Sequence, residues 1–224
     1  MVCKYKLLDA VDSDTKEKLL QGHREIQIPS AHQLILQADW GEEAYVLVSG
    51  ILKARCLSAQ GDEIVISLMG AGAIVGEVAL LAPNPIRTVD VVAVTPARLL
   101  KLRQHAMREA MENNLTFTRS IAFLQAQRLT ALGDRLMLMN EDAMTRLLAT
   151  LLDLARLNGD KDDPLQPIPL IPQHEMALMA GLSRGTTSTL INKLISNGTL
   201  QRHDNGMQFV SLVPLQRRNL LPKQ

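Results

Sequence analysis

The chain has only two cysteines in 224 residues, Cys3 and Cys56, far apart and without a CxxC partner. Neither a disulfide framework nor a thiolate metal site is indicated, which suits a reducing cytoplasm. The five histidines, at 23, 32, 105, 174 and 203, have no ligand spacing, so no metal is expected. No run of eighteen apolar residues occurs, so no membrane span is expected. The opening MVCKYKLLDAVDSDTKEKLL carries charges throughout and lacks the apolar core of a signal peptide. A nucleophile beside a base, a metal-ligand cluster and paired carboxylates at a motif spacing are all missing, so an enzyme is not expected. Net charge is nearly absent too, at +1.

What is present is enough apolar residue, 46%, for one large domain or two small ones. Residues 6–22 read as a short amphipathic helical start, with Asp12 or Ser13 as cap. From Glu25 short alternating stretches follow: EIQIP, QLILQ, AYVLVSG, ILKARCL, EIVISLM, VDVVAV and ARLLKL. Glycines and Pro29 punctuate them. Many short strands at regular spacing predict an antiparallel sandwich or barrel through about Leu102.

One piece breaks that rhythm. Gly72 to Leu81 holds a glycine, the carboxylate of Glu77 and an apolar helix-like turn, and Arg87 follows ten residues after the glutamate. Backbone N–H groups at such a turn, with a guanidinium, make an anion site; the glutamate can accept from a hydroxyl. The alternative at this point is a surface Glu–Arg pair in a loop.

From about His105 to Leu157 the pattern is helical. Ala122, Gln125, Leu129, Leu132, Leu136 and Met139 recur at spacings of 3-4-3-4-3, a heptad-like seam. Pairing with a second copy of the same helix would hide it and give a two-fold dimer; packing on its own β domain is the alternative. Asn140 to Asp142 breaks the helix, and Asp142 starts the next. A polar loop, Asn158 to Pro164, and prolines at 164, 167, 169 and 172 keep the chain extended beyond it.

Residues 171–200 read as two short helices about a tight turn. Pro172 suits a first turn. Ala177 is small, Gly181 makes the corner four residues on, and Leu190 anchors the second helix nine residues later. Ser183 is a good N-cap. Thr187, Leu190, Ile191 and Leu194 form the buried stripe, and Ser183, Arg184, Gly185, Thr186, Ser188, Thr189 and Asn192 form the polar face that would enter a major groove. LQRHDNGMQFVSL then reads as a hairpin about Asn205-Gly206. A helix-turn-helix followed by a hairpin is a winged helix. From Leu170 onward six basic residues stand against two acids, +4, so positive charge gathers at the end that would meet phosphates.

In this order the parts resemble the cAMP receptor protein/FNR (Crp-Fnr) family of bacterial transcription regulators over nearly the whole chain. GEEAYVLVSGILKA resembles its strand-turn-strand, GAGAIVGEVALL with Arg87-Thr88 its phosphate-binding cassette, and GLSRGTTSTLINKL its recognition helix. The resemblance implies that Glu77 holds a ribose hydroxyl and Arg87 and Thr88 a cyclic phosphate, with Gly76 and Val78 alongside. Three departures stand out. Ala131 and Leu132 fall where cAMP-responsive members carry a Thr-Ser pair against adenine. Gly185 and Thr189 replace a glutamate and an arginine of the recognition helix. The N-terminal cysteine cluster of the oxygen sensors is missing.

The expected architecture is α+β: an antiparallel β-roll effector domain at 1–105, a central dimerisation helix at 106–140 and a winged helix-turn-helix at 141–224. The expected function is a cytoplasmic homodimeric regulator that binds duplex DNA, with no required cofactor. Its effector is a cyclic nucleotide such as cAMP, or a different ligand or none with the cassette kept as scaffold. RNA polymerase stays open as a partner. A ligand-binding signalling module acting through protein contacts is the reading from another class.

Overall fold

The computed structural model describes residues 7–9, 11–41, 43–81, 86–158 and 163–222. The MVCKYK start with Cys3, the Pro/Asn loop at 82–85, the middle of the polar loop at 159–162 and Lys223 lie outside the described residues. Two compact units form: Met1–Cys56 with Ile66–Leu132, and Leu57–Val65 with Gly133–Gln224.

In the first unit a 3-10 turn at Leu7–Asp9 precedes α1 (Ser13–Leu20). Asp12 caps α1, accepting from the Thr15 amide at 2.8 Å. The alternating stretches become β1 (Arg24–Ile28), β2 (Gln33–Ile35), β3 (Ala44–Ser49), β4 (Leu52–Leu57), β5 (Glu63–Met69), β6 (Ile74–Val75), β7 (Asp90–Ala93) and β8 (Ala97–Leu102), with α2 (Val78–Leu81) after β6. They form two four-stranded sheets, ordered β1-β8-β3-β6 and β2-β7-β4-β5. This is the expected antiparallel roll. Side chains alternate across each strand. One face therefore feeds a core of Ile28, Leu47, Leu52, Met69, Val75, Val91 and Leu99, and the other a core with Leu19, Val46, Ile74 and Leu102.

The long helix starts later than expected. Residues 104–138 form two helices, α3 (Gln104–Asn113) and α4 (Leu115–Leu138). Asn114 separates them: its backbone is extended, and its side-chain oxygen accepts from the Phe117 amide at 2.9 Å, which caps α4. Its amide donates to Asp12 and Thr15, so the break is tied to α1. Phe117, Ile121 and Leu124 of α4 then complete the second core.

In the second unit, Asp142 caps α5 (Ala143–Leu157), accepting from the Met144 and Thr145 amides. α5 is buried almost all round. β9 (Ile168–Pro169), α6 (Gln173–Ala180), α7 (Arg184–Ser196), β10 (Leu200–His203), β11 (Gly206–Phe209) and α8 (Val213–Arg217) complete it. The wing is three-stranded, ordered β10-β11-β9. His203 pairs with Gly206, so the two-residue turn is Asp204-Asn205, one residue before the expected Asn205-Gly206. Gly206 is wanted inside β11 instead. Its φ is +143°, and a Cβ there would meet the Ile168 carbonyl at 2.0 Å. The close approach of β9, itself unexpected in a proline-rich stretch, sets that demand.

Candidate functional site

A cavity of about 420 Å³ opens in the first unit, within the size range of small-molecule sites. Ile35, Ile66, Met69, Val75 and Val91 supply its apolar wall from both sheets, and Gln125, Arg128, Leu129 and Leu132 close it from α4. The cassette residues Gly76, Glu77, Val78, Arg87 and Thr88 all line it. The spacing in the sequence thus brings them to one place. Val78 is half-buried and Thr88 exposed at the rim.

Glu77 and Arg87 are not a surface pair. Glu77 is 1% exposed and Arg87 7%, and each is held by other groups. Arg87 donates from Nη1 to the Gly76 carbonyl and from Nη2 to the Glu43 carbonyl, both at 2.8 Å, and reaches the Glu43 carboxylate at 3.5 Å. Gly76, at φ +85°, makes this seat: a Cβ would stand 2.5 Å from the Glu43 carbonyl and 2.8 Å from Arg87 Nη1. Lys101 donates to Glu43 at 3.0 Å, and this bond, with Arg87 nearby, holds the Glu43 carboxyl below its ordinary range.

Glu77 turns to α4. Its Oε1 accepts from Gln125 at 2.8 Å and from Arg128 Nη1. Arg128 also donates to the Ile74 carbonyl, so one guanidinium brackets the Ile74–Glu77 turn. Glu77 Oε2 is buried and finds no hydrogen-bond partner among the described residues. A buried acceptor left unmet costs about 1–3 kcal/mol, and a ligand hydroxyl or N–H at the cavity would recover it. The site holds one anion and two cations among its lining side chains. It can bind and orient an anionic ligand bearing a donor, and it has no general acid and base set. Among the described residues no cluster of metal-ligating side chains occurs.

Arg128 and Glu43 were not legible as site residues. Arg128 and Gln125 sit 51 and 48 positions from Glu77, and nothing local marks them. Of the heptad-like residues, Gln125 and Leu132 face the cavity. Ala122, Leu129, Leu136 and Met139 are exposed, and Leu129 also touches the cavity. Ala126 and Gly133 are exposed between them.

In the second unit Gly181 takes the left-handed turn, φ +61°. Ser183 caps α7, its hydroxyl accepting from the Thr186 amide at 3.1 Å. Thr187, Ile191 and Leu194 are buried. Ser183, Arg184, Gly185, Thr186, Thr189 and Asn192 are exposed together and Ser188 half-buried, which gives α7 a polar outer face at its N-terminal half. No helix among the described residues is long and apolar enough to cross a membrane.

The sequence matches two families: "Cyclic nucleotide-binding domain" over residues 25–114 and "Crp-like helix-turn-helix domain" over residues 145–218. It is 29% identical over 174 residues to a "Cyclic AMP receptor protein" of Thermus thermophilus, covering 77% of each chain. It is 23% identical over 195 residues to a "CRP-like cAMP-activated global transcriptional regulator" of Mycobacterium tuberculosis, covering 86% of this chain and 87% of that one. The structure of a c-di-GMP responsive global regulator of Xanthomonas campestris superposes with a TM-score of 0.70 at 21% identity, over 89% of this chain and all of the other, which shows a shared fold. With an effector-type roll, a long helix and a winged helix-turn-helix in that order, and with both matching domains covering most of its length, the chain belongs to the Crp-Fnr family of transcription regulators, a family of regulators and not of enzymes.

Proposed function

We propose that this regulator works in the cytoplasm as a homodimer. It reads duplex DNA through the outer face of α7 and is controlled by a small effector in the roll cavity. The effector is a cyclic nucleotide such as cAMP. Its phosphate is held by Arg87 and Thr88 and its ribose hydroxyl by Glu77, with Gly76 and Val78 completing the cassette. One observation carries the effector reading: Glu77, whose buried Oε2 is unmet, lines the same cavity as the glycine-seated Arg87. A ligand with an anion at one end and a hydroxyl at the other satisfies both. The dimer reading rests on Leu129, Leu136 and Met137, which are exposed along α4. Contact with RNA polymerase is carried over from the family alone.

A second reading keeps the cavity and changes its ligand. Leu129 and Leu132 stand in the wall on the α4 side, where a base edge would need polar partners, and this favours an anion with an apolar body.

Calorimetric titration with cAMP and then cGMP tests the first reading. Micromolar binding is expected, lost in Arg87→Ala, which removes the guanidinium that pairs with the phosphate and leaves only Arg128, already bonded to Glu77 and the Ile74 carbonyl. Absence of heat and of thermal stabilisation with both nucleotides sinks the cyclic-nucleotide reading and leaves the second. For the DNA face, Arg184→Ala is expected to weaken the best operator by about 1–3 kcal/mol while sparing mixed-sequence duplex. A mutant that binds that operator as the parent does removes α7 from base reading.

A further inference from the structure

Arg135 stands on the last two turns of α4 and is not part of the cavity. Its guanidinium is buried in the second unit. It donates from Nη2 to the Met179 carbonyl at 2.9 Å. Met179 lies in the last turn of α6, where carbonyls have lost their helical partners and the helix end is negative. Burial pushes the Arg135 guanidinium below its ordinary value, and the nearby charge of Asp153 on α5 pulls it back. One residue after α6 comes the Gly181 corner, and two further Ser183, the cap of α7. Met139, four residues after Arg135, packs on that corner: a Cβ at Gly181 would stand 3.3 Å from its methyl. Two side chains, Arg135 in the last turn of α4 and Met139 just after its end, thus grip the end of α6 and the corner that leads into α7.

A buried cation aimed at one carbonyl is a costly way to fill space, since an apolar side chain of the same length would pack there without desolvation. What the guanidinium adds is direction. We propose that Arg135 is a positioning residue for DNA recognition, fixing the angle at which α6 and its corner present α7. In a two-fold dimer that angle sets the separation at which two half-sites are read. The inference rests on the DNA-binding dimer reading above.

The test uses the full chain as wild type, Arg135→Met and Arg135→Lys. The probes are the duplex that wild type selects from a randomised pool, the same duplex with one base pair inserted or deleted at its centre, and a mixed-sequence duplex. One base pair turns the half-sites by about 35° relative to each other, so wild type should pay a penalty on the order of a hundredfold. Arg135→Met should keep mixed-sequence binding within about threefold, because phosphate contacts survive, but lose about tenfold or more on the selected duplex. Its spacing penalty should shrink below about tenfold. Arg135→Lys, which can still reach a carbonyl, should lie between. Arg135→Met that keeps both affinity and spacing penalty overturns the proposal. So does a uniform loss on all duplexes with a lowered melting temperature, which is a structural role only. If Arg135→Met fails to fold, Arg135→Lys is held to the same criteria. Hydrogen exchange supplies an arm without DNA. The Gly181 and Leu182 amides should exchange about tenfold faster in Arg135→Met, with the Ile191 and Leu194 amides unchanged; equal rates at the corner overturn the proposal. Failure of wild type to select any sequence would sink the DNA-binding reading itself, and the exchange arm would still decide the grip.

Discussion

Arg128→Leu should lower the stability of the first unit by about 3 kcal/mol, and adding Glu77→Leu should recover more than half of the loss. Glu77 is 1% exposed and takes both of its donors on Oε1. Removing one partner of a buried pair costs about 3–5 kcal/mol, because the other charge stays behind without compensation. The low end applies here, since Gln125 remains and Arg128 keeps about a fifth of its side chain in solvent. Replacing both partners by apolar groups removes the stranded charge, so the pair as a whole contributes far less than its disruption costs. Trp40, the only tryptophan of the chain, lies in this unit and reports its unfolding in urea. With a slope of about 1–3 kcal/mol per molar, the midpoint should fall by about 1–3 M, with the slope unchanged. A double variant no more stable than the single one would show that Arg128 acts through its other bond, to the Ile74 carbonyl.

The same pair marks the boundary of what the amino-acid order reveals. The cassette was legible because Gly76, Glu77, Arg87 and Thr88 lie within thirteen residues and carry uncommon chemistry between apolar strands. The caps Asp12, Asp142 and Ser183 and the Gly181 corner were legible because each acts within three or four residues of itself. The opposite wall of the cavity comes from a helix some fifty residues on, and periodicity cannot reach it. A 3-4 rhythm selects one stripe, whereas α4 uses three: Phe117, Ile121 and Leu124 in the core, Gln125, Arg128 and Leu132 at the cavity, and Ala122, Leu129 and Leu136 outward. Gln125 and Leu132 therefore fell into a seam with residues they do not face. The break at Asn114 was missed for a related reason. An asparagine inside a helical pattern is tolerable, and only its bonds to Asp12 and Thr15, a hundred residues away, make it a stop. Gly206 shows the reverse: a turn residue by local rule, it is required in the strand by the approach of β9.

Leu136→Asp should dissociate the proposed dimer. Leu136 is 62% exposed in the single chain, Leu129 71% and Met137 73%, with Gly133 between them and Ala126 one turn before Leu129. That stripe is long, apolar and unpartnered, and its small residues let a second helix come close. Full burial of a leucine contributes about 1.5–3 kcal/mol, and a two-fold interface counts each substitution twice. The loss is then about 3–6 kcal/mol, which raises the dissociation constant on the order of a hundredfold to ten-thousandfold. Two aspartates facing each other across the axis add repulsion to that loss. Leu136 is the sharper probe than Leu132, which lines the cavity and would confound assembly with effector binding. Leu165→Asp, an exposed position off α4, is the control and should leave assembly intact. Sedimentation over a range of concentrations reads the equilibrium directly. Operator affinity should fall with it, since each half-site then binds a lone winged helix, while mixed-sequence binding, which rests on phosphate contacts, should fall much less. A Leu136→Asp protein that sediments as the parent does would place the interface on another surface, and the exposed stripe of α4 would then need a different partner.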